Sequence, residues 1–420
     1  MLNPKKLINR ILPFLCFIII VNGLLGQNLS TNFTLDYNKS ENLVNQKNFR
    51  AFDDVSFKIN LFSKNKNFKL KYYISENNSF IDEIYYKKQK KYLLFKVGIF
   101  SHIDSEKIEL SSGDMIESGN SYGIPRYLIE YKKHYKKLNL KFAISDGILD
   151  KNIINIEKPY YHDKRIKFEY NGFSLGLTHN AIWGGNVTGY GSQPSDLDDY
   201  FKIFFNQGGG ADAVDTDKPN KLGDVFGSWN FGYKKLVNNF SFYAYHQFYF
   251  EDKSGLKMKN KMNNFDGLTG FSISNENSQI LYERIKTSYQ GGRVHPPGRD
   301  GYYWNGIYRN GWKYKDRIIG NIYLKPYANR VKINHFGIMH KFNNGTITAF
   351  YAKGKIYNIS YNGGIPAEYE QDYTLNDFDT LREYSISYKF RILQNINFMI
   401  TVENSLKKEN NYFLTTTYFF

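Results

Sequence analysis

The stretch from Asn411 to Phe420 reads N-Y-F-L-T-T-T-Y-F-F. Tyr412, Leu414, Thr416, Tyr418 and Phe420 fall on one face of a period-two strand, the face an outer-membrane strand turns toward lipid. About ten residues is the length that crosses a bilayer as a tilted strand. The reading is a last strand that closes a barrel, with its terminal aromatic expected to be recognised by the barrel assembly machinery.

Moving back along the chain, Tyr384, Ile386, Tyr388 and Phe390 face Ile396, Phe398, Ile400 and Val402 across the turn Leu393-Gln394-Asn395. Arg382, Ser387, Lys389 and Arg391, then Asn397, Thr401 and Glu403, are read as the other face. One side is apolar and the other polar, as a lipid face and a lumen face require. Similar alternation recurs at 55–62, 67–74, 92–100, 126–132, 138–145, 165–170, 173–179, 226–233, 240–250, 267–274, 280–287, 317–323, 332–342 and 346–353. Asn171-Gly172, Asn238-Asn239 and Asn343-Asn344-Gly345 punctuate these segments as tight turns. With the last three strands the tally is about 17, so the fold class predicted is all-β, a transmembrane antiparallel β-barrel of about 16–18 strands.

Lys5, Lys6 and Arg10 precede an apolar run from Ile11 to Val21, and small residues follow at Gly23 and Gly26. A basic start, a short apolar core and a small-residue end read as a secretory signal peptide over 1–26, with the mature chain starting near Gln27. Intact-mass measurement of the outer-membrane protein is expected to show those residues missing, and a retained Met1 would refute the reading. The Asn-rich segment 27–54 reads as a periplasmic leader, a plug element or a first strand; 55–420 is the barrel. Cys16 is the only cysteine and lies inside the signal, so disulfides have no part in the fold.

The composition agrees, with 36 Tyr and 34 Phe against 10 Pro and a mean hydropathy of -0.53. Alternating lipid-facing and lumen-facing residues average to a polar mean, while aromatics form girdles at the two interfaces. The formal net charge of +16 suits attraction to an acidic partner, such as an anionic polysaccharide or lipopolysaccharide. Export removes nucleic acid as a partner.

Two stretches offer a binding chemistry. Tyr302, Tyr303, Trp304, Tyr308, Trp312 and Tyr314 supply flat faces on which sugar C–H surfaces stack, and Arg293, Arg299, Arg309 and Arg317 can pair with uronate or phosphate groups. Trp183 followed by Gly184-Gly185 is the other, since glycines let a loop bring a large ring close to a ligand. An interfacial girdle with solvated charges is the plain alternative for each. The acidic loop with Asp196, Asp198, Asp199, Asp212, Asp215 and Asp217 lacks calcium-loop spacing and reads as solvated. No metal-ligand spacing joins the eight histidines; His335 and His340 point to opposite faces of a strand. Gly208-Gly209-Gly210 has no following G-K-[ST], and no G-x-S-x-G occurs. No cofactor, metal or catalytic centre is expected.

H-N-A-I-W-G-G-N (His179 to Asn186), F-Y-F-E-D (Phe248 to Asp252) and above all Y-Y-W-N-G-I-Y-R-N-G-W-K-Y-K-D-R-I-I-G (Tyr302 to Gly320) resemble the capsule assembly Wzi family of outer-membrane proteins. Tyr308, Arg309, Gly311, Trp312, Tyr314, Arg317, Ile319 and Gly320 fill the family's Y-R-x-G-[WY]-x-Y-x-x-R-x-I-G pattern, and the resemblance runs from about Phe173 to the C-terminus. The N-terminal third departs from it. The resemblance implies a monomeric 18-stranded barrel that holds surface polysaccharide rather than degrading it; the basic charge makes an acidic polymer the expected partner, and a barrel wall is expected to contact outer-membrane lipid and lipopolysaccharide. Rival functions are a porin or glycan channel, a structural part of a motility or secretion machine, and an outer-leaflet hydrolase.

Overall fold

The computed structural model describes residues 29–37, 55–63, 66–75, 79–102, 110–149, 156–211, 213–215, 217–218, 221–251, 266–288, 301–326, 328–357, 378–405 and 411–419. Within them, 18 strands form one antiparallel sheet in which each strand pairs with its neighbours in sequence. The sheet closes on itself because Leu29–Tyr37 pairs with Asn411–Phe419, from Asn32 opposite Phe419 to Tyr37 opposite Leu414. Closure leaves no edge strand, which is the condition for a sheet to stand in hydrocarbon. Among the described residues no helix is long and apolar enough to cross a membrane. The strands make the crossing.

The pleat sorts side chains as the alternation predicts. Leu414 is outward and exposed while Thr415 is inward and buried, and Ile386 is exposed between buried Ser385 and Ser387. Tight turns join the strands at one end, with left-handed backbone at Lys91, Lys136, Asn171 and Asn238. Long connections lie at the other end. Short turns mark the periplasmic end of an outer-membrane barrel and long loops the extracellular end.

Three differences from the sequence reading have physical causes. Leu29–Tyr37, within the segment left open above, is a wall strand; residues 38–54 lie outside the described residues. Ser79–Lys90 is a strand that period-two reading passes over. The register against Phe68–Ser75 slips between Lys71 and Tyr72, so the alternation changes phase partway, and its turn at Lys91 carries no Asn or Gly. Conversely, 317–323 is no wall strand: Arg317–Ile318 pairs only with Lys313–Tyr314, inside the barrel. Those exchanges take the tally from 17 to the 18 observed. Residues 1–28, with the signal peptide and Cys16, and Phe420 lie outside the described residues.

Candidate functional site: a luminal plug and its extracellular face

The largest hydrophobic cluster lies in the lumen. Met115 and Ile116 from one long connection meet Tyr302, Tyr303, Tyr308, Trp312, Ile319 and Tyr323 from another, against inward wall residues such as Tyr161, Phe226 and Tyr249. The two connections are stitched together through main-chain groups. Trp312 Nε1 donates to Ile116 O at 2.8 Å and Ser118 N to Ile319 O at 2.9 Å, while within the second connection Ile319 N donates to Trp312 O at 3.1 Å. Tyr303 Oη donates to Met115 O and accepts from Asn321 N at 2.7 Å. Arg317 Nε donates to Asn120 O at 2.6 Å and its Nη2 to Asn120 Oδ1 at 3.0 Å. Irregular backbone at membrane depth must be satisfied by protein in this way.

The glycines of the Tyr302–Gly320 stretch answer to the same packing. Gly311 has φ +67°, and a Cβ there would lie 2.2 Å from Tyr303 O. At Gly320 a Cβ would lie 2.0 Å from Tyr303 Oη and 2.2 Å from Met115 O. Only glycine fits where two backbones approach so closely. Burial holds the phenols of Tyr303 and Tyr308 well above their usual range, so both stay neutral donors, to Met115 O and Gly184 O. The pattern that suggested a ligand surface is mostly the folding code of the plug.

An ion cluster locks the plug to the wall. Glu117 of the plug accepts from Arg126 through both carboxylate oxygens, at 2.5 and 3.2 Å, and from Arg165 at 3.2 Å. Arg165 Nε also donates to Asp163 at 2.9 Å, and His102 Nδ1 lies 2.6 Å from the same carboxylate. Burial, reinforced by the Arg165 charge, lowers the His102 pKa below its usual value, so His102 is the neutral member and donates from Nδ1. Single-sequence reading missed this cluster because its members are far apart in the chain and lack a motif.

The proposed sugar-binding residues separate into groups. Tyr302, Tyr303, Tyr308 and Trp312 are buried in the plug core; Tyr314 and Arg317 are buried as well. Arg293 and Arg299 lie outside the described residues. Trp304 is half-buried and Arg309 exposed, in a turn set by Asn305 Oδ1 accepting from Ile307 N and Tyr308 N at 2.9 and 3.0 Å. The guanidinium of Arg309 stands 6.0 Å from the ring of Tyr190, which is 42% exposed. Tyr190 went unread in the sequence; its signal is Gly189-Tyr190-Gly191, whose turn is closed by Tyr190 N donating to Val187 O at 3.0 Å. Tyr190, Trp304 and Arg309 form the accessible aromatic and cationic face.

Trp183 is placed elsewhere. Along Phe173–Trp183 the even residues Asn180 and Ile182 point into the lumen, whereas Phe173 and Leu175 are exposed outward, and Trp183 shares their face. It is buried because helix α1 (Leu197–Phe204) folds back over the outside of the wall, where Ile203 joins Ala181, Trp183, Leu222 and Val225. Gly184 and Gly185 have φ +64° and +76°, a left-handed backbone that glycine adopts without strain. Three of the acidic residues have structural duties, Asp196 and Asp199 as the capping box of α1 and Asp217 through its Oδ2, which accepts from Gly223 N at 2.9 Å; Asp198 and Asp215 are exposed, and Asp212 lies outside the described residues. Among the described residues no group of three or more His, Cys, Asp or Glu is placed to hold a metal.

The sequence model of the family described as capsule assembly protein Wzi matches residues 137–411, beginning earlier than the motifs alone indicate. No curated protein matches the chain. Among solved structures, the chain is similar to Wzi of Escherichia coli, described as an outer membrane protein involved in group 1 capsule assembly and a carbohydrate-binding β-barrel. The TM-score is 0.63 at 12% identity, over 96% of this chain and 87% of that one. Weaker likenesses are to OccK5 (OpdH) of Pseudomonas aeruginosa, with TM-score 0.46, 11% identity and coverage of 93% and 97%, and to OccAB2 of Acinetobacter baumannii, with TM-score 0.45, 11% identity and coverage of 94% and 98%. At these identities the likenesses concern the fold.

Proposed function

The chain belongs to the capsule assembly Wzi family, and from that premise we propose that this outer-membrane barrel binds acidic surface polysaccharide and helps assemble or retain it at the cell, holding the polymer without cleaving it. The observation that carries the reading is the pairing of exposed Arg309 of the plug with exposed Tyr190 of the neighbouring connection, with half-buried Trp304 in the same plug turn as Arg309, while Tyr302, Tyr303, Tyr308 and Trp312 are buried. Flat rings and a guanidinium are what an acidic glycan needs, the rings for sugar faces and the fork for carboxylate or phosphate. A rigid plug presents them without ordering a loop at each binding event. The carbohydrate binding described for the Escherichia coli Wzi barrel supports the same role here.

Arg309→Ala and Trp304→Ala are each expected to weaken binding of purified barrel to cell-surface polysaccharide. Losing Arg309 should flatten the salt dependence, because one screened charge contact is gone. Losing Trp304 should lower affinity at every salt concentration, since stacking is not screened. Both variants should keep wild-type heat-modifiability. Wild-type affinity in both would move the site off this face, and steady open steps from the wild-type protein in a planar bilayer would favour a channel.

A further inference from the structure

The outer wall beneath helix α1 is polar where a barrel exterior should be apolar. Asp146, His162 and His179 occupy outward positions on adjacent strands, with His162 Nδ1 2.6 Å from Asp146 Oδ1 and Tyr127 Oη, at the margin of the covered area, donating to Asp146 Oδ2 at 3.0 Å. At ~3.3 Å per residue and a tilt of ~40°, Trp183 stands ~25 Å above Phe173 and His179 ~15 Å above it. An outward apolar band is ~25 Å tall, so this belt lies in its extracellular part. Polar side chains there are costly in lipid unless covered.

Helix α1 is the cover. Tyr200 Oη donates to Asp146 Oδ2 at 3.2 Å, and the rings of Tyr200 and Phe204 lie 5.4 and 5.6 Å from His162. Lys164 Nζ sits 4.4 Å over Phe204. The opposite side of the segment presents Leu197, Phe201 and Phe205, 69%, 50% and 59% exposed, at helical spacing i, i+4, i+8. Around it the wall continues with exposed Tyr127, Ile148 and Tyr160. The segment therefore covers a polar stretch of wall and presents Leu197, Phe201 and Phe205 outward in its place, with exposed Asp198 at the edge of that side.

We infer that helix α1 is an interfacial element seated in the outer leaflet, its Leu197, Phe201 and Phe205 side chains in contact with the acyl chains of the outer-membrane lipid. This site is distinct from the Tyr190–Arg309 face and does not depend on any polysaccharide role. The occupant is lipid because the patch is continuous with the lipid-facing wall.

The test uses the absence of cysteines other than Cys16. In a Cys16→Ser background, Phe201→Cys and Phe205→Cys barrels carry a nitroxide label and are reconstituted in lipid bilayers, with Phe231→Cys as the lipid-facing reference and Asp316→Cys as the aqueous one. At positions 201 and 205, collision with dissolved oxygen is expected to exceed collision with a water-soluble nickel chelate several-fold, as at 231. Chelate access like that at 316 would overturn the inference. So would labels immobilised and shielded from both quenchers, which would mean a protein partner or a second copy covers the helix. Heat-modifiability of the labelled variants checks that the barrel is folded, and a lipid-like reading in them establishes the contact.

Discussion

Glu117→Ala is expected to release the plug and to raise the conductance of the barrel well above that of the wild type. The carboxylate is buried between Arg126 and Arg165 and also accepts from His102 N at 2.8 Å. Removing it strands two buried guanidiniums with Asp163 as their remaining carboxylate in the cluster, Arg165 at 2.9 Å and Arg126 at 3.8 Å. Deleting one partner of a buried ionic network costs about 3–5 kcal/mol, because the charge left behind stays desolvated. The wall should survive, since its ladder hydrogen bonds do not pass through Glu117. In planar bilayers the variant should therefore show frequent open steps while remaining heat-modifiable. Glu117→Gln, which keeps the shape and an acceptor but loses the charge, should fall between. A silent Glu117→Ala barrel would mean that the apolar plug core holds without the ionic lock.

Trp312→Ala should damage the same plug from its centre. The indole is fully buried, with the rings of Phe226 and Tyr161 at 5.8 and 6.1 Å, and its Nε1 satisfies Ile116 O. Truncating a buried Trp costs about 3–5 kcal/mol through lost burial and a residual cavity. Limited proteolysis should then cut the plug in folded barrels, and polysaccharide binding should fall together with plug integrity. Trp304→Ala should lose binding with the plug still protease-resistant. If Trp312→Ala binds weakly yet resists protease like wild type, Trp312 contacts the ligand itself and the plug has a second, open conformation.

Local pattern carries the wall of this barrel. Period-two alternation and Asn-containing turns are short-range features, and they locate strands such as Tyr384–Phe390 with both faces correctly oriented. The pattern fails at Ser79–Lys90, where a register slip shifts the phase and the turn at Lys91 lacks the usual residues. It fails again at 317–323, because an apolar segment buried in a lumen and one facing lipid have the same composition. The motif Tyr302–Gly320 was legible as a family mark. Its chemistry was not, since whether an aromatic ring binds sugar or fills a core depends on what packs against it.

The sequence by itself determined an exported, cysteine-poor barrel, the approximate number of its strands, the lipid face of most of them and the family. The wall follows from periodicity and composition, which act over a few residues at a time, export from the basic and apolar start of the chain, and the family from the resemblance carried by Tyr302–Gly320. Only the tertiary structure decided that Tyr302, Tyr303, Tyr308 and Trp312 are plug core, that Glu117 locks to Arg126 and Arg165, and that Trp183 lies outside the wall under helix α1. Each of these depends on contacts between segments separated widely along the chain, and folding brings them together because the barrel has a lumen to fill and a polar belt to cover.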